Sequence, residues 1–193
     1  MIRRQHALAA VVAAVALVSL SATGCSEDTK ATPRVTFTST VSPGTHKSAE
    51  CPETGTWFSI GDFGAPTSGI PVRPVDSGSS EQQGTATLTC SVKPEGGGFR
   101  VVGLAQLSGA TGGSFSVSGL FNPSGDQSGI SVSLTRSGST YKQTDCTATY
   151  PDPAQTVAAG RVWATISCPN AENASAQRIC EAVATFRFEN CDQ

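Results

Sequence analysis

Histidine, methionine, tyrosine and tryptophan are nearly absent from this chain of 193 residues, which holds two, one, two and two of them. His6 belongs to the opening segment, so beyond it His46 is the only imidazole. A serine or cysteine nucleophile relying on a histidine base would have to use it. It stands in the polar stretch SPGTHKSAE, where a solvated loop residue is the plainer expectation. Charge is scarce too: Asp, Glu, Lys and Arg make up 15% of the chain, with no block of one sign. That leaves no electrostatic grip on nucleic acid or on anionic lipid. No CxxC pair and no histidine pair at ligand spacing occurs, so no metal is expected. Cofactors are not expected either, because no Gly-rich loop joins a strand to a helix to cradle a phosphate. The stretch NPSGDQSG, 122–129, lacks the EF-hand pattern and reads as a turn. GxSxG elbows are absent, and beyond residue 20 no apolar run is long enough for a transmembrane helix.

What the chain does have begins at its start. Arg3 and Arg4 precede an Ala-, Val- and Leu-rich run from Ala7 to Leu20, then Ser21, Ala22, Thr23, Gly24 and Cys25. A positive start, a short apolar core and small residues make an export signal over 1–24. Two cleavage readings compete. Ala22 and Gly24 suit a cut after a small-x-small pair, which would release a soluble protein. Alternatively, Ala22-Thr23-Gly24-Cys25 resembles the lipobox of bacterial lipoproteins, although Leu is usual where Ala22 stands. That resemblance implies a diacylated Cys25 as the new N-terminus, anchored in a membrane. One acyl chain binds only marginally, and stable anchoring needs more than one. Ser26 after the anchor resembles lipoproteins sorted to an outer membrane.

Cysteine number favours the lipobox. Seven cysteines in an exported chain cannot all pair. Setting Cys25 aside leaves Cys51, Cys90, Cys146, Cys168, Cys180 and Cys191, enough for three disulfides in an oxidising compartment.

Without Arg3 and Arg4 the 13 basic residues become 11 against 15 acidic ones, a formal charge of −4. Residues 25–34 read as lipidated Cys and polar tether, and 35–193 as one domain. In that domain apolar residues alternate with polar ones at period two, the mark of half-buried strands. Ile130, Val132 and Leu134 share a face, as do Ala86, Leu88, Cys90 and Val92. Phe115, Val117 and Phe121 form another set; Val162, Ala164, Ile166 and Cys168 another; Ala182, Ala184, Phe186 and Phe188 the last. Weaker strand candidates are 34–41, 56–61, 98–107 and 140–150. KPEGGG, 93–98, and RSGST, 136–140, are expected hairpin turns. The fold class is therefore all-β, an antiparallel sandwich of about eight or nine strands with disulfides. The one helical candidate is a turn or two at AENASAQRI, 171–179. The Pro- and Gly-rich stretches 61–84 and 150–160 are expected as loops, the longer one functional or mobile.

Six cysteines allow 15 connectivities. If 181–190 is one strand, Cys180 and Cys191 lie about 36 Å apart at ~3.3 Å per residue. A disulfide needs Cα atoms within roughly 7 Å, which excludes that pair. Cys168–Cys180 is favoured as a clasp at a hairpin neck, with Cys51–Cys90 and Cys146–Cys191 completing the set.

The stretch GSTYKQTDCTAT at 138–149, followed by Pro151, Pro153 and ATISC, resembles the mycobacterial cell-surface lipoprotein antigen family. That resemblance implies a secreted, non-enzymatic β lipoprotein with one disulfide. It would pair Cys168 with Cys90. Four further cysteines and an extension from Pro169 depart from it.

Two functional readings follow. The first is a membrane-anchored envelope lipoprotein with a non-enzymatic binding or structural domain, its protein or glycan partner unnamed. Trp57 and Trp163 are its candidate binding surface. Trp163 points outward if Val162 and Ala164 point in; an outward Trp is sometimes a binding anchor and more often lies under a loop, here 61–84. The alternative is a secreted hydrolase using two converging carboxylates, drawn from scattered acids such as Asp62, Asp76, Asp145 and Asp152. A lipid carrier is a third class, suggested only by the small inner residues at 182–184.

Overall fold

A computed structural model describes residues 31–193, of which Ala31–Gln193 form one compact unit. Residues 1–24, expected above to be an export signal, and Cys25 and Ser26 lie outside the described residues. The strands are β1 (Arg34–Ser42), β2 (Thr56–Ile60), β3 (Val75–Asp76), β4 (Ser80–Glu81), β5 (Gly84–Glu95) and β6 (Gly98–Leu107). They continue as β7 (Gly113–Phe121), β8 (Gln127–Arg136), β9 (Ser139–Thr149), β10 (Thr156–Ala158), β11 (Arg161–Asn173) and β12 (Arg178–Glu189). The nine longer strands match the eight or nine expected, and the fold is all-β as read from the alternation. Every inner residue named above is buried.

These strands form one antiparallel sheet in the order β2-β1-β12-β11-β9-β8-β7-β6-β5-β4, with β3 on β1 and β10 on β11. The sheet curls on itself, so its two halves face each other as the layers of a sandwich do. Register breaks fall in β8, β9 and β11, between the halves, and another in the β1–β2 pair at one edge. Such bulges bend a strand and add twist, which is what a fold-over requires. Facing aromatic rings fill the space between. Phe115 of β7 stacks on Phe37 of β1 at 4.4 Å and tilts against Phe186 of β12 at 5.3 Å. Gly103 of β6 lets the layers approach: a Cβ there would sit 2.7 Å from the Phe188 ring.

Two structures tie the free edges together. The segment through β3 and β4 crosses from β1 to β5, pairing Val75 with Val35 and Ser80 with Thr85. At the C-terminus, Asp192 bridges Ser91 of β5, with Val92 N donating to Asp192 O at 2.8 Å.

The disulfides are Cys51–Cys180, Cys90–Cys191 and Cys146–Cys168. All six candidate cysteines pair, and the exclusion of Cys180–Cys191 holds. The three favoured pairings do not, nor does the Cys90–Cys168 pair implied by family resemblance. The reason is strand order. β11 does not stop at Cys168 but runs on to Asn173, and the register sets Cys168 opposite Ala182 and Cys180 opposite Ala171. The pairing of β11 with β9, from Thr165↔Thr149 to Glu172↔Lys142, puts Cys168 directly across from Cys146. Cys180 instead holds the loop 43–55, and Cys191 reaches β5.

The stretch 171–179 is accordingly not helical; it is the tip of the β11–β12 hairpin. Asn173 shapes that tip, its Oδ1 accepting from Ser175 Oγ and Ala176 N. The stretch 61–84 is folded rather than structureless, holding β3, β4 and a 3-10 turn at Pro66–Ser68. The loop 150–160 contributes β10. The domain's contacts begin before residue 35: Thr32 O accepts from Asn190 Nδ2 at 2.9 Å and β1 starts at Arg34.

Candidate functional site

The sheet register lines up four outward residues across four strands. Thr36 of β1 lies opposite Arg187 of β12, Arg187 opposite Trp163 of β11, and Trp163 opposite Thr156 of β10. Trp163 is therefore on the outer face, as its sequence phase required, and is partly covered. The cover comes from the 61–84 segment: the Phe63 ring stacks nearly parallel to the indole at 6.2 Å. Phe63 is held between two glycines with positive φ, Gly61 and Gly64. A Cβ at Gly61 would lie 2.5 Å from Arg73 O, and one at Gly64 2.5 Å from Ile70 O. Only glycine permits that backbone there.

The Arg187 guanidinium lies 5.3 Å from the centre of the Trp163 ring, a cation–π contact. Its Nη2 also donates to Glu189 Oε1 at 2.6 Å. Beside this group is a cavity of about 200 Å³, lined by Ala154, Thr156, Arg161, Trp163, Arg187 and Glu189 among others. Trp163 Nε1 is buried with no hydrogen-bond partner, and so is Thr36 Oγ1 in the same row. Unpaired buried polar atoms are uncommon enough to need an explanation. Arg161 is exposed and makes no ion pair among the described residues.

Trp57 is not part of this face. The β1–β2 register passes from Ser39↔Phe58 to Thr40↔Thr56, so Trp57 is the extra residue of a bulge. The bulge turns its ring into the core, edge-on to Tyr141 at 5.4 Å. Around it sequence reasoning missed a polar cluster. Glu53 Oε1 accepts from Tyr141 Oη and from Arg178 Nη1, both at 3.1 Å. These residues are 88 and 125 positions apart from Glu53, so no local pattern could join them.

His46 is not a solvated loop residue. Its Nε2 donates to Pro169 O at 2.8 Å, docking the loop 43–55 on the bulge of β11. Ile179 N donates to Glu50 O of the same loop. The acidic candidates are engaged locally: Asp76 pairs with Arg34, Asp62 Oδ1 accepts from Gly64 N, Asp145 from Gly129 N and Asp152 from Ala154 N. Among the described residues no group of three or more His, Cys, Asp or Glu side chains could hold a metal ion. A second cleft, of about 470 Å³, is lined by Ser59, Arg73, Glu81 and Gln83 among others. There Arg73 and Glu81 neutralise each other at 3.1 Å.

Both tyrosines of the chain sit above the ordinary phenol value of 10.0. Burial raises Tyr141, the Arg178 contact opposes it, and the Glu53 charge adds to the rise. Burial pushes Tyr150 up to about 12, against a smaller opposing contact from Gln127. The Tyr150 hydroxyl donates to Asn122 O at 2.7 Å. In a spectrophotometric titration of the native protein, Tyr150 is expected to stay un-ionised at pH 10, and Tyr141 to ionise above its ordinary value. A folded pKa above the unfolded one means the contribution of Tyr150 to stability is present below pH ~10 and lost as pH climbs through about 12. A native titration in which both tyrosines ionise in one step centred at pH 10 would contradict this burial.

No protein-family model, curated protein or solved structure matches this chain.

Proposed function

We propose that this is an exported lipoprotein, held to the cell-envelope membrane by acyl groups on Cys25, whose β domain binds or displays rather than catalyses. One observation carries the reading. Cys51, Cys90, Cys146, Cys168, Cys180 and Cys191 satisfy one another in three bonds, so Cys25 has no partner cysteine left in its own chain. Three disulfides fit an oxidising compartment outside the cytoplasm. The lipobox-like Ala22-Thr23-Gly24-Cys25 gives the unpaired thiol a chemical use. Ser26 extends the proposal to an outer membrane in an organism that has one.

The non-enzymatic half rests on how the titratable groups are spent. His46 anchors a loop, Glu53 joins Tyr141 and Arg178, and Glu81, Glu95 and Glu189 each pair with an arginine. Acid–base chemistry needs groups free to exchange protons with a substrate, and these are already engaged. A hydrolase using two carboxylates is the rival, and clean turnover of any glycan or peptide would establish it.

Cys25→Ala is the test of anchoring. The variant is expected to leave the membrane fraction for the soluble or secreted one, while the wild type sediments with membranes. A variant that stays fully membrane-bound would sink the proposal.

A further inference from the structure

One end of the domain gathers its tether and its membrane-compatible side chains together. β1 begins there, and its first residue, Arg34, is opposite Glu189 near the end of β12. Continuing the β11–β12 register one step from Val162↔Phe188 puts Arg161 level with Glu189. β2 stops three residues short of that level, since Ile60 lies opposite Phe37, and the chain then runs on towards it through Gly61, Asp62 and Phe63. There the 61–73 loop leaves the β1 edge, closed by mutual hydrogen bonds between Asp62 and Arg73, and lays Phe63 on the outward Trp163. Its tip carries Ile70, which at 54% exposure is the most exposed large apolar residue described.

We infer that this end of the domain rests on the phospholipid surface in which Cys25 is anchored. Ile70, Phe63 and Trp163 would sit at the interface, with Arg161 meeting a lipid phosphate. The inference rests on the lipid-anchor reading above and adds an orientation and a contact face to it.

Chain length argues for it. Thr32 O is already bonded to Asn190, so seven peptide steps separate Cys25 from fixed backbone. At ~3.5 Å per residue those steps span at most about 25 Å, whatever their conformation. The domain cannot stand clear of the bilayer by more than that. The end held nearest is the one with an exposed isoleucine, two stacked aromatic rings and an unpaired guanidinium. Tryptophan and arginine are favoured at such interfaces, where one part of the side chain is apolar and the other reaches polar headgroups. The 200 Å³ cavity beside the partly covered indole presents the guanidinium donors of Arg161 and Arg187, with Glu189 also in its lining.

Bulk charge does not drive the contact. Glu189 offsets Arg187, Asp76 offsets Arg34, and Asp192 lies nearby at the C-terminus. The phosphate common to zwitterionic and anionic lipids is therefore the group recognised, and added salt is expected to change the contact little.

The test uses purified, lipidated protein in phosphatidylcholine vesicles, with and without a headgroup nitroxide label. The chain has two tryptophans, and Trp57 is buried in the core. Headgroup label is expected to quench the Trp163 part of the emission at least twofold. Trp163→Phe should abolish that quenching, and Ile70→Asp with Arg161→Glu should remove most of it. Both sites are outside the core, so near-ultraviolet dichroism should confirm an unchanged fold. Inorganic phosphate should not restore emission, which separates a lipid surface from a free anion. Protein that sediments with vesicles but shows no label-dependent quenching would overturn the docked orientation and leave the anchor standing. Protein that does not sediment at all would overturn both.

Discussion

Exchanging Cys90 and Cys191 together for serine is expected to lower the unfolding free energy by about 4–5 kcal/mol, since chain-entropy arguments give ~4.7 kcal/mol for closing a loop of about 100 residues. The bond spans 101 residues of sequence. It also fastens a small clasp. Cys191 N donates to Gly160 O, Gly160 N to Val92 O, and Asp192 N to Cys90 O. Those bonds join the end of β12 and the β10–β11 turn to β5, on the opposite half of the curled sheet. Without the disulfide, the clasp keeps only hydrogen bonds near the terminus, where chains fray most readily. The Cys146–Cys168 bond spans 22 residues and links neighbouring strands that are already paired. Its loss should cost roughly 3 kcal/mol on the same argument. Urea midpoints of the two serine double variants measure the difference. If the Cys90–Cys191 variant were the more stable, the sheet would not depend on that clasp.

The second large effect is at the centre of the core. Phe115→Ala is expected to cost about 3–5 kcal/mol, the usual range for emptying a buried phenylalanine site. Phe115 is fully buried and touches the rings of Phe37, Phe186 and Phe188, so it connects β7 with both β1 and β12. Those rings are locked by their own strand pairings and cannot collapse fully into the space. Val102→Ala is the control. Val102 is on the outer face of β6 at 51% exposure, and its truncation should change stability by less than about 0.5 kcal/mol. Equal effects of the two substitutions would mean that Phe115 is not where the layers meet.

The inward sets of β5, β7, β8, β11 and β12 were legible because a half-buried strand writes its burial into every second residue. Ile130, Val132 and Leu134 needed no partner strand to identify their face. Disulfide pairing was not legible in that way. Cys146 and Cys168 meet only because β9 and β11 are neighbours, though they are not consecutive in the chain. Cys90 and Cys191 meet only because the sheet curls far enough to bring β5 to the end of β12. Bulges hid other features. Trp57 has the phase of an outward residue, and one inserted position in β2 turns it inward. The bulge after Cys168 makes Pro169 and Asn170 look like a strand end, so the sequence suggests a long hairpin loop with a helical turn where β11 and β12 in fact stay paired to Asn173↔Arg178. The outward position of Trp163 follows from the alternation in β11, and the 61–84 segment lies over it. Phe63, which covers it, carried no signal beyond lying between glycines. Arg187 sits beside the indole through cross-strand register, which emerges only once β11 and β12 are paired.

The most direct test is peptide mapping by mass spectrometry, without reductant, of protein purified from its native cells. The account predicts an N-terminal peptide that begins at Cys25 and carries acyl mass. It also predicts three linked peptide pairs, joining Cys51 to Cys180, Cys90 to Cys191 and Cys146 to Cys168. An N-terminus elsewhere, with Cys25 removed, unmodified or disulfide-bonded, would contradict it.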